Sequence, residues 1–149
     1  MPFFESVHQE IQFLKKLPKK DRDMGVFLRT NGCVEVLKTP YELMIRSRDE
    51  TDISLKLVKY KYFVYCAILK KDKDAAQEHF DTLRELSLPM LEDYREGNAQ
   101  DLMLVQSDGI YTGDETSQDE NLRRLAKSMQ STFDLMEGLM ELTFEAPWV

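Results

Sequence analysis

Apolar residues recur at helical spacing at both ends of the chain. Near the N-terminus they lie three or four residues apart, and the set consists of Phe4, Val7, Ile11, Leu14 and Leu17. Pro18 then ends the pattern, so the spacing predicts an amphipathic helix of about four turns. Near the C-terminus, Ser117 and Glu120 form a capping box, and the apolar positions that follow are Leu122, Ala126, Met129, Phe133, Met136 and Met140. These positions alternate between steps of four and three residues, which predicts a helix with one packing seam.

The stretch from 26 to 37 fits two different structures. It contains Asn31-Gly32 between apolar and β-branched residues, which is the sequence signal of a β-hairpin. The alternative is a helix over 22–30 that Gly32 caps, followed by a short helix. Because Val26-Phe27-Leu28 are consecutive apolar residues and do not alternate with polar ones, the helical interpretation is favoured.

Two further helices are predicted in the middle of the chain. Thr39, Pro40 and Glu42 have the arrangement of an N-cap, a first helical residue and the end of a capping box. A helix should therefore run from there to about Ser47. A longer helix is predicted over 53–70, and its apolar residues cover most of its circumference. Because such a helix needs neighbours on several sides, we expect it to be the central element.

Two antiparallel helices are predicted over 60–89. Asp74 opens the second helix, Ala76 and Phe80 recur along it, and Pro89 kinks or interrupts it. This segment resembles a tetratricopeptide-type helical hairpin in the residues Tyr60, Phe63, Val64, Ala67, Ala76, Phe80 and Pro89. The resemblance occurs once and implies two closely packed antiparallel helices. An ordinary antiparallel helix pair accounts for the same residues.

Residues 96–122 contain seven acidic side chains and no Lys or Arg. We interpret this stretch, over about 96–121, as an acidic surface loop. A second β-hairpin at 102–112 is the alternative, because the turn residues Asp108-Gly109 lie within it. Together the patterns predict a single all-α domain of five to seven helices. The alternative fold is α+β, with one or two short hairpins at 26–37 and 102–112.

Composition supports the helical interpretation and adds an asymmetry of charge. The 149 residues include only 6 Gly and 5 Pro, too few for a β-sandwich with many tight turns. The net charge is −7, but residues 15–73 carry fifteen Lys and Arg against eight Asp and Glu, while the remainder carries five against nineteen. Segments of +7 and −14 indicate electrostatic complementarity, either within the fold or with a partner.

The sequence also predicts a cytoplasmic location. No basic region followed by an apolar run opens the chain, and no stretch approaches the ~20 apolar residues of a membrane span. Cys33 and Cys66 are too few for a disulfide framework, so we expect both to be reduced thiols. The acidic balance argues against nucleic acid as a partner, because phosphate contacts need a basic surface.

Residues that could carry metal or nucleophilic chemistry form no convincing motif. His8 and His79 lie far apart, and neither has a Cys or His at ligand spacing. The six glycines are dispersed, unlike those of a phosphate-binding loop. Asp108, Gly113 and Asp119 have the spacing of a calcium loop, but the ligand positions between them lack the required carboxylates. We therefore predict no enzymatic activity, no cofactor and no metal.

Two sets of side chains are candidates for binding a partner. The aromatic candidates on the 60–89 segment are Tyr60, Tyr65 and Phe80. The C-terminal helix and tail add Met129, Met136, Met140 and Trp148, because Met adapts to a bound surface and Trp is enriched at interface hot spots. Core packing is the competing role for the methionines, since they coincide with the helix seam.

The function predicted from these features is non-enzymatic protein–protein interaction. The chain would be an adaptor or a subunit of a larger complex, binding a protein through an apolar helical groove with steering by charge. Self-association into a homo-oligomer is a further option. The alternative is a small-ligand-binding or regulatory domain, with an interhelical pocket among Tyr60, Tyr62, Tyr65 and Phe80.

Overall fold

The computed structural model describes residues 4–47, 53–95 and 118–144. They form the helices α1 (Val7–Lys16), α2 (Lys19–Ser47), α3 (Ile53–Leu69), α4 (Lys73–Arg95) and α5 (Gln118–Phe144). Within these residues there is no strand, and the predicted all-α fold is confirmed. Residues 96–117 of the predicted acidic loop, which include the alternative hairpin at 102–112, lie outside the described residues. The last residues of the predicted loop, 118–121, belong to α5.

Two hydrogen bonds that the spacing of apolar residues does not reveal stabilise the start of α1, where Ser6 is the N-cap. The Ser6 hydroxyl accepts a hydrogen bond from the Gln9 backbone N–H at 3.2 Å, and the Gln9 side chain accepts one from the Glu5 backbone N–H at 2.9 Å. The Gln9 N–H would otherwise lack a partner in the first turn of the helix, and the bond from Glu5 fixes the residue before the N-cap. The helix ends at Lys16, as the position of Pro18 predicts.

A single helix of 29 residues, α2, replaces the two or three elements predicted over 22–47. The alternative hairpin at 26–37 is wrong, and so are the helix end at Gly32 and the new start at Thr39, because all these positions lie inside α2. Pro40 removes one helical hydrogen bond, at a cost of about 3 kcal/mol or more. Burial of Leu37 and stacking of Tyr41 on Tyr62 of α3, with ring centroids 4.3 Å apart, hold the helix on both sides of this point.

A three-residue turn joins α3 to α4. Lys71 has a left-handed backbone with φ of 57°, and the Asp72 backbone N–H donates to the Ala67 carbonyl at 3.0 Å, which closes the end of α3. The Asp72 carboxylate then accepts from the Ala75 backbone N–H at 3.1 Å. Asp72 is therefore the N-cap of α4, and the prediction of Asp74 is wrong because the chain turns two residues earlier.

The helices pack with α3 between α2 and α4, antiparallel to both. This agrees with the central position predicted for 53–70. The antiparallel pair α3–α4 suits the tetratricopeptide resemblance and an ordinary helix pair equally, so the resemblance stays a prediction. Helix α5 packs against each of the other four helices. Its Leu125, Met136 and Leu139 are among the most completely buried side chains described.

Two glycines let α1 lie close to its neighbours. A Cβ atom on Gly138 of α5 would lie 2.5 Å from Ile11 Cδ1, and one on Gly25 of α2 would lie 2.7 Å from Leu14 Cδ2. Ile11 and Leu14 are the fully buried residues of α1, so the most buried part of its inward face lies over these two positions. Any larger residue there must move α1 or distort the side chain.

We expect Gly138→Ala to lower the free energy of unfolding by about 1 to 3 kcal/mol, because the added methyl group overlaps Ile11. Urea denaturation monitored by circular dichroism measures the loss. In an Ile11→Ala background the same substitution should cost nothing or stabilise the helix, because the space is free and Ala is the better helix former. An equal cost in both backgrounds would mean that Ile11 is not the obstacle.

Candidate functional site

Most of the side chains predicted to bind a partner lie in the core. Met136 has no exposed surface, and Met129 and Met140 are also buried, so the core-packing role of these methionines agrees with their positions. Phe80 is buried as well and makes an edge-to-face contact with Phe133 of α5, with ring centroids 5.9 Å apart. In this conformation none of these residues offers a surface to a partner. Trp148 lies outside the described residues.

The four residues of the alternative pocket do not come together. Tyr60 and Tyr62 lie about 200° apart around α3, because each residue turns the helix by ~100°. Tyr62 stacks on Tyr41 of α2, whereas Tyr60 contacts His79 of α4 with ring centroids 6.0 Å apart. Tyr65 and Phe80 are buried. The predicted pocket is thus replaced by contacts of Tyr62 with α2 and of Tyr60 with α4.

An aromatic cluster joins α2, α3 and α4. Phe63 lies at its centre, with ring centroids 5.8 Å from Tyr41 and 5.1 Å from His79. The Lys59 ammonium group lies 5.4 Å from the centroid of the Tyr60 ring, within the range of a cation–π contact. Because these rings contact one another across three helices, the cluster stabilises the layer that they form.

Tyr62 and Cys66 in this part of α3 have perturbed acidity. Burial raises the pKa of Tyr62, and the neighbouring Cys66 adds to the effect. Burial also raises the pKa of Cys66, although the hydrogen bond with Tyr62 and the charge of Lys70 oppose the change. Both groups are therefore held in their neutral forms to higher pH than in the unfolded chain.

A cleft of about 270 Å³ opens between α1, α2, α3 and α5. Its lining residues are Val7, Arg29, Gly32, Cys33, Val36, Leu37, Tyr65, Ser128, Ser131, Thr132 and Leu135. Tyr65 is the one residue of the predicted binding set that lines it. The other residues come from three helices, and those of α2 and α5 recur at helical spacing, but the sequence does not indicate that these two sets face each other.

Arg29 is the charged group of this cleft. Its Nε atom lies 2.7 Å from Glu10 Oε2, and its Nη1 atom lies 3.6 Å from Cys33 Sγ. Burial works against the charge of Arg29, but the negative forms of Cys33 and Glu10 outweigh it and raise the pKa of the guanidinium above its usual value. The cleft therefore contains a guanidinium group that is already paired with Glu10 and bonded to Cys33. In the described part of the chain, no three His, Cys, Asp or Glu side chains are grouped to hold a metal ion.

Ion pairs connect the basic and acidic segments within the fold. Lys15 Nζ lies 3.1 Å from Glu141 Oε1, and Arg29 pairs with Glu10. Each pair joins a residue of the basic segment 15–73 to a residue of the acidic remainder. Part of the predicted complementarity is thus used inside the chain, although partly exposed pairs contribute at most about 1 kcal/mol each.

The exposed apolar surface is concentrated on α2. Among the described residues, eight large apolar side chains are exposed, and six of them belong to this helix: Met24, Phe27, Leu28, Val36, Leu43 and Ile45. We call these six residues the α2 apolar face. More than half of each side chain is exposed. The consecutive apolar residues Val26-Phe27-Leu28 were the available sequence signal, since a helix cannot bury all three on one side.

Comparisons with family models, curated proteins and solved structures found no match to this chain. No helix in the parts of the chain that the structure describes is both long and apolar enough to cross a membrane. The geometry of the described residues is therefore the basis for a functional proposal.

We expect Met136→Ala to reduce the free energy of unfolding by about 2 to 5 kcal/mol, because the lost side chain leaves a cavity in the core. Chemical denaturation measures the change. Met24→Ala is the matched control, since Met24 is exposed on α2 and its loss should change stability by no more than about 0.5 kcal/mol. Equal effects at the two positions would contradict the buried placement of Met136.

Stability should fall in alkaline solution because of Tyr62 and Cys66. A group whose pKa is higher in the folded chain than in the unfolded chain contributes fully to stability at lower pH. That contribution is lost as the pH rises through the folded-state pKa. The ordinary values are 10.0 for Tyr62 and 9.0 for Cys66, so the loss should begin above about pH 9. Melting temperatures from pH 7 upward measure it. The double variant Tyr62→Phe, Cys66→Ala should show a shallower decline, and an unchanged decline would assign the effect to other groups.

Proposed function

We propose that this chain is a non-enzymatic protein-interaction module, acting as an adaptor or a subunit of a larger assembly. The α2 apolar face is the observation that carries the proposal, because six large apolar side chains on one helix remain in contact with solvent. Apolar patches of this kind mark interaction sites on folded domains. The binding surface differs from the predicted groove, whose methionines and Phe80 are buried.

The occupant that fits this surface is a helix of a partner protein. A helix packs along another helix by placing its side chains between rows of the facing side chains. Burying one Leu, Phe or Met side chain contributes about 1.5 to 3 kcal/mol, so several together can offset the cost of association. The ends of α2 carry exposed charges of both signs, Lys20 and Asp21 at one end and Glu42 and Arg46 at the other. Because each end carries both signs, these side chains would favour one orientation of the partner helix. They would not require the partner to have a particular net charge.

The small-ligand alternative now concerns the cleft beside Arg29. Its volume of about 270 Å³ is below the range of small-molecule sites, which span roughly 300 to 1,000 Å³. A rise in melting temperature with a small molecule, in the absence of any protein partner, would favour this function. The six exposed apolar side chains of α2 favour the interaction module.

We expect Leu28→Glu to abolish capture of the physiological partner while leaving the fold intact, because Leu28 is 52% exposed at the middle of the apolar face. Capture is measured by incubating tagged chains with an extract of the source cell. Circular dichroism checks that each variant is folded. The matched control is Leu88→Glu, which places the same charge at a leucine on α4 that is 66% exposed. Equal capture by both variants would rule out α2 as the binding surface.

A further inference from the structure

We propose that Trp148 occupies a groove between α2, α3 and α5, so that residues 145–149 fold back onto the helices that precede them. The inference goes beyond the proposed function, because it assigns an occupant from within the chain to a separate groove. Four observations support it: an apolar groove beside the end of α5, the reach of the chain from there, an exposed phenylalanine in the groove, and a buried hydroxyl group without a partner.

The groove has a volume of about 80 Å³ and lies where the C-terminal ends of α3 and α5 meet the first half of α2. Most of its wall is apolar and consists of Val26, Phe27, Ile68, Leu69 and Leu142. Small-molecule sites span roughly 300 to 1,000 Å³, so this groove is too small for a separate ligand of that kind. A single apolar side chain that lies partly inside it is the occupant that its size allows.

The chain leaves α5 beside this groove. Helix α5 ends at Phe144, one residue after Thr143 of the groove wall. Trp148 is four residues beyond Phe144, and four extended residues span up to about 14 Å, which exceeds the width of a helix with its side chains, about 10 to 12 Å. Pro147 disfavours the helical conformation at the residue before it, so the sequence does not favour a straight extension of α5. A chain that turns here can bring Trp148 to the groove.

Phe27 is the exposed part of the groove wall. Its side chain is 53% exposed, although Val26 and Ile68 of the same wall are buried. An indole ring against Phe27 would form an aromatic pair and remove apolar area of both rings from water. Trp148 is the only aromatic residue among residues 145–149. The other five residues of the α2 apolar face do not line the groove, so they stay exposed to a partner.

The Thr143 hydroxyl group identifies tryptophan more specifically. Its Oγ1 atom is buried and has no hydrogen-bond partner among the described residues, which is unfavourable. Threonine in a helix has two favoured χ1 rotamers, so the hydroxyl can turn to accept a hydrogen bond from a side chain in the groove. At neutral pH, Trp148 has the only side chain among residues 145–149 that can donate one, through its indole N–H.

Intrinsic fluorescence of the full chain tests the proposal, because Trp148 is the only tryptophan and therefore the only source of indole emission. We expect the folded chain to emit at shorter wavelength than the chain unfolded in urea, and acrylamide to quench it less, at every protein concentration. Emission and quenching equal to those of the unfolded chain would overturn the proposal. A shift that appears only as the concentration rises would also overturn it, since Trp148 would then be buried between copies.

A matched pair of variants on α2 tests whether the groove is the site. Phe27→Ala should move the emission of Trp148 toward that of the unfolded chain and increase its quenching by acrylamide, because one wall of the groove is lost. The control is Leu28→Ala, since Leu28 is 52% exposed, adjacent in sequence and outside the groove wall. It should leave the emission unchanged. Circular dichroism checks that both variants are folded, and equal emission from the two would overturn the placement in the groove.

The hydrogen bond is tested by combining Trp148→Phe, which keeps an aromatic ring without the N–H, with Thr143→Val, which keeps the shape without the hydroxyl. Trp148→Phe should lower the melting temperature, because it leaves the hydroxyl without a donor. In the Thr143→Val background the same substitution should lower it less. An equal loss in both backgrounds would overturn the bond between the two side chains.

Discussion

The burial of α5 against the four other helices is the constraint on which the rest of the structure depends. Leu125, Met136 and Leu139 of α5 are almost entirely removed from water, and α5 contacts every other helix. A closely packed interior tolerates little change in volume, so each neighbouring helix is held at the distance that these side chains set. The methionines of α5 therefore serve packing, where their flexible side chains fill irregular space. The binding surface that we propose therefore lies on another helix.

The position of α1 follows from the same packing. Its two buried residues lie over Gly138 of α5 and Gly25 of α2, and its ion pairs reach the same two helices through Lys15 and Glu10. Close packing contributes most of the stability there, because partly exposed ion pairs are weak. The ion pairs instead select one orientation of α1, since they join opposite charges on either side of it. The charge asymmetry of the sequence thus has a local role in the fold, apart from any role in binding.

Helix α2 differs from the other described helices because several of its large apolar side chains are exposed while others are buried. Val26 and Leu37 are buried, while Met24, Leu28 and Val36 are exposed. The buried side accounts for its place next to α3, but nothing within the described chain accounts for the exposed side. Exposed apolar side chains contribute little to folding and favour association. This side of α2 is therefore the surface that we propose for binding.

Periodic spacing in the sequence was enough to predict helices at α1, α3 and α5 and the all-α class, because helical periodicity depends on neighbours three and four residues away. It could not predict that 22–47 forms one helix. Local signals at Gly32, Thr39 and Pro40 favour a break, and the contacts that override them, burial of Leu37 and stacking of Tyr41 on Tyr62, come from α3. The same limit applies to the candidate site. Both α2 and α5 have enough apolar residues to form a core or an interface, and only the packing of distant helices decided that α5 is covered and one side of α2 is not.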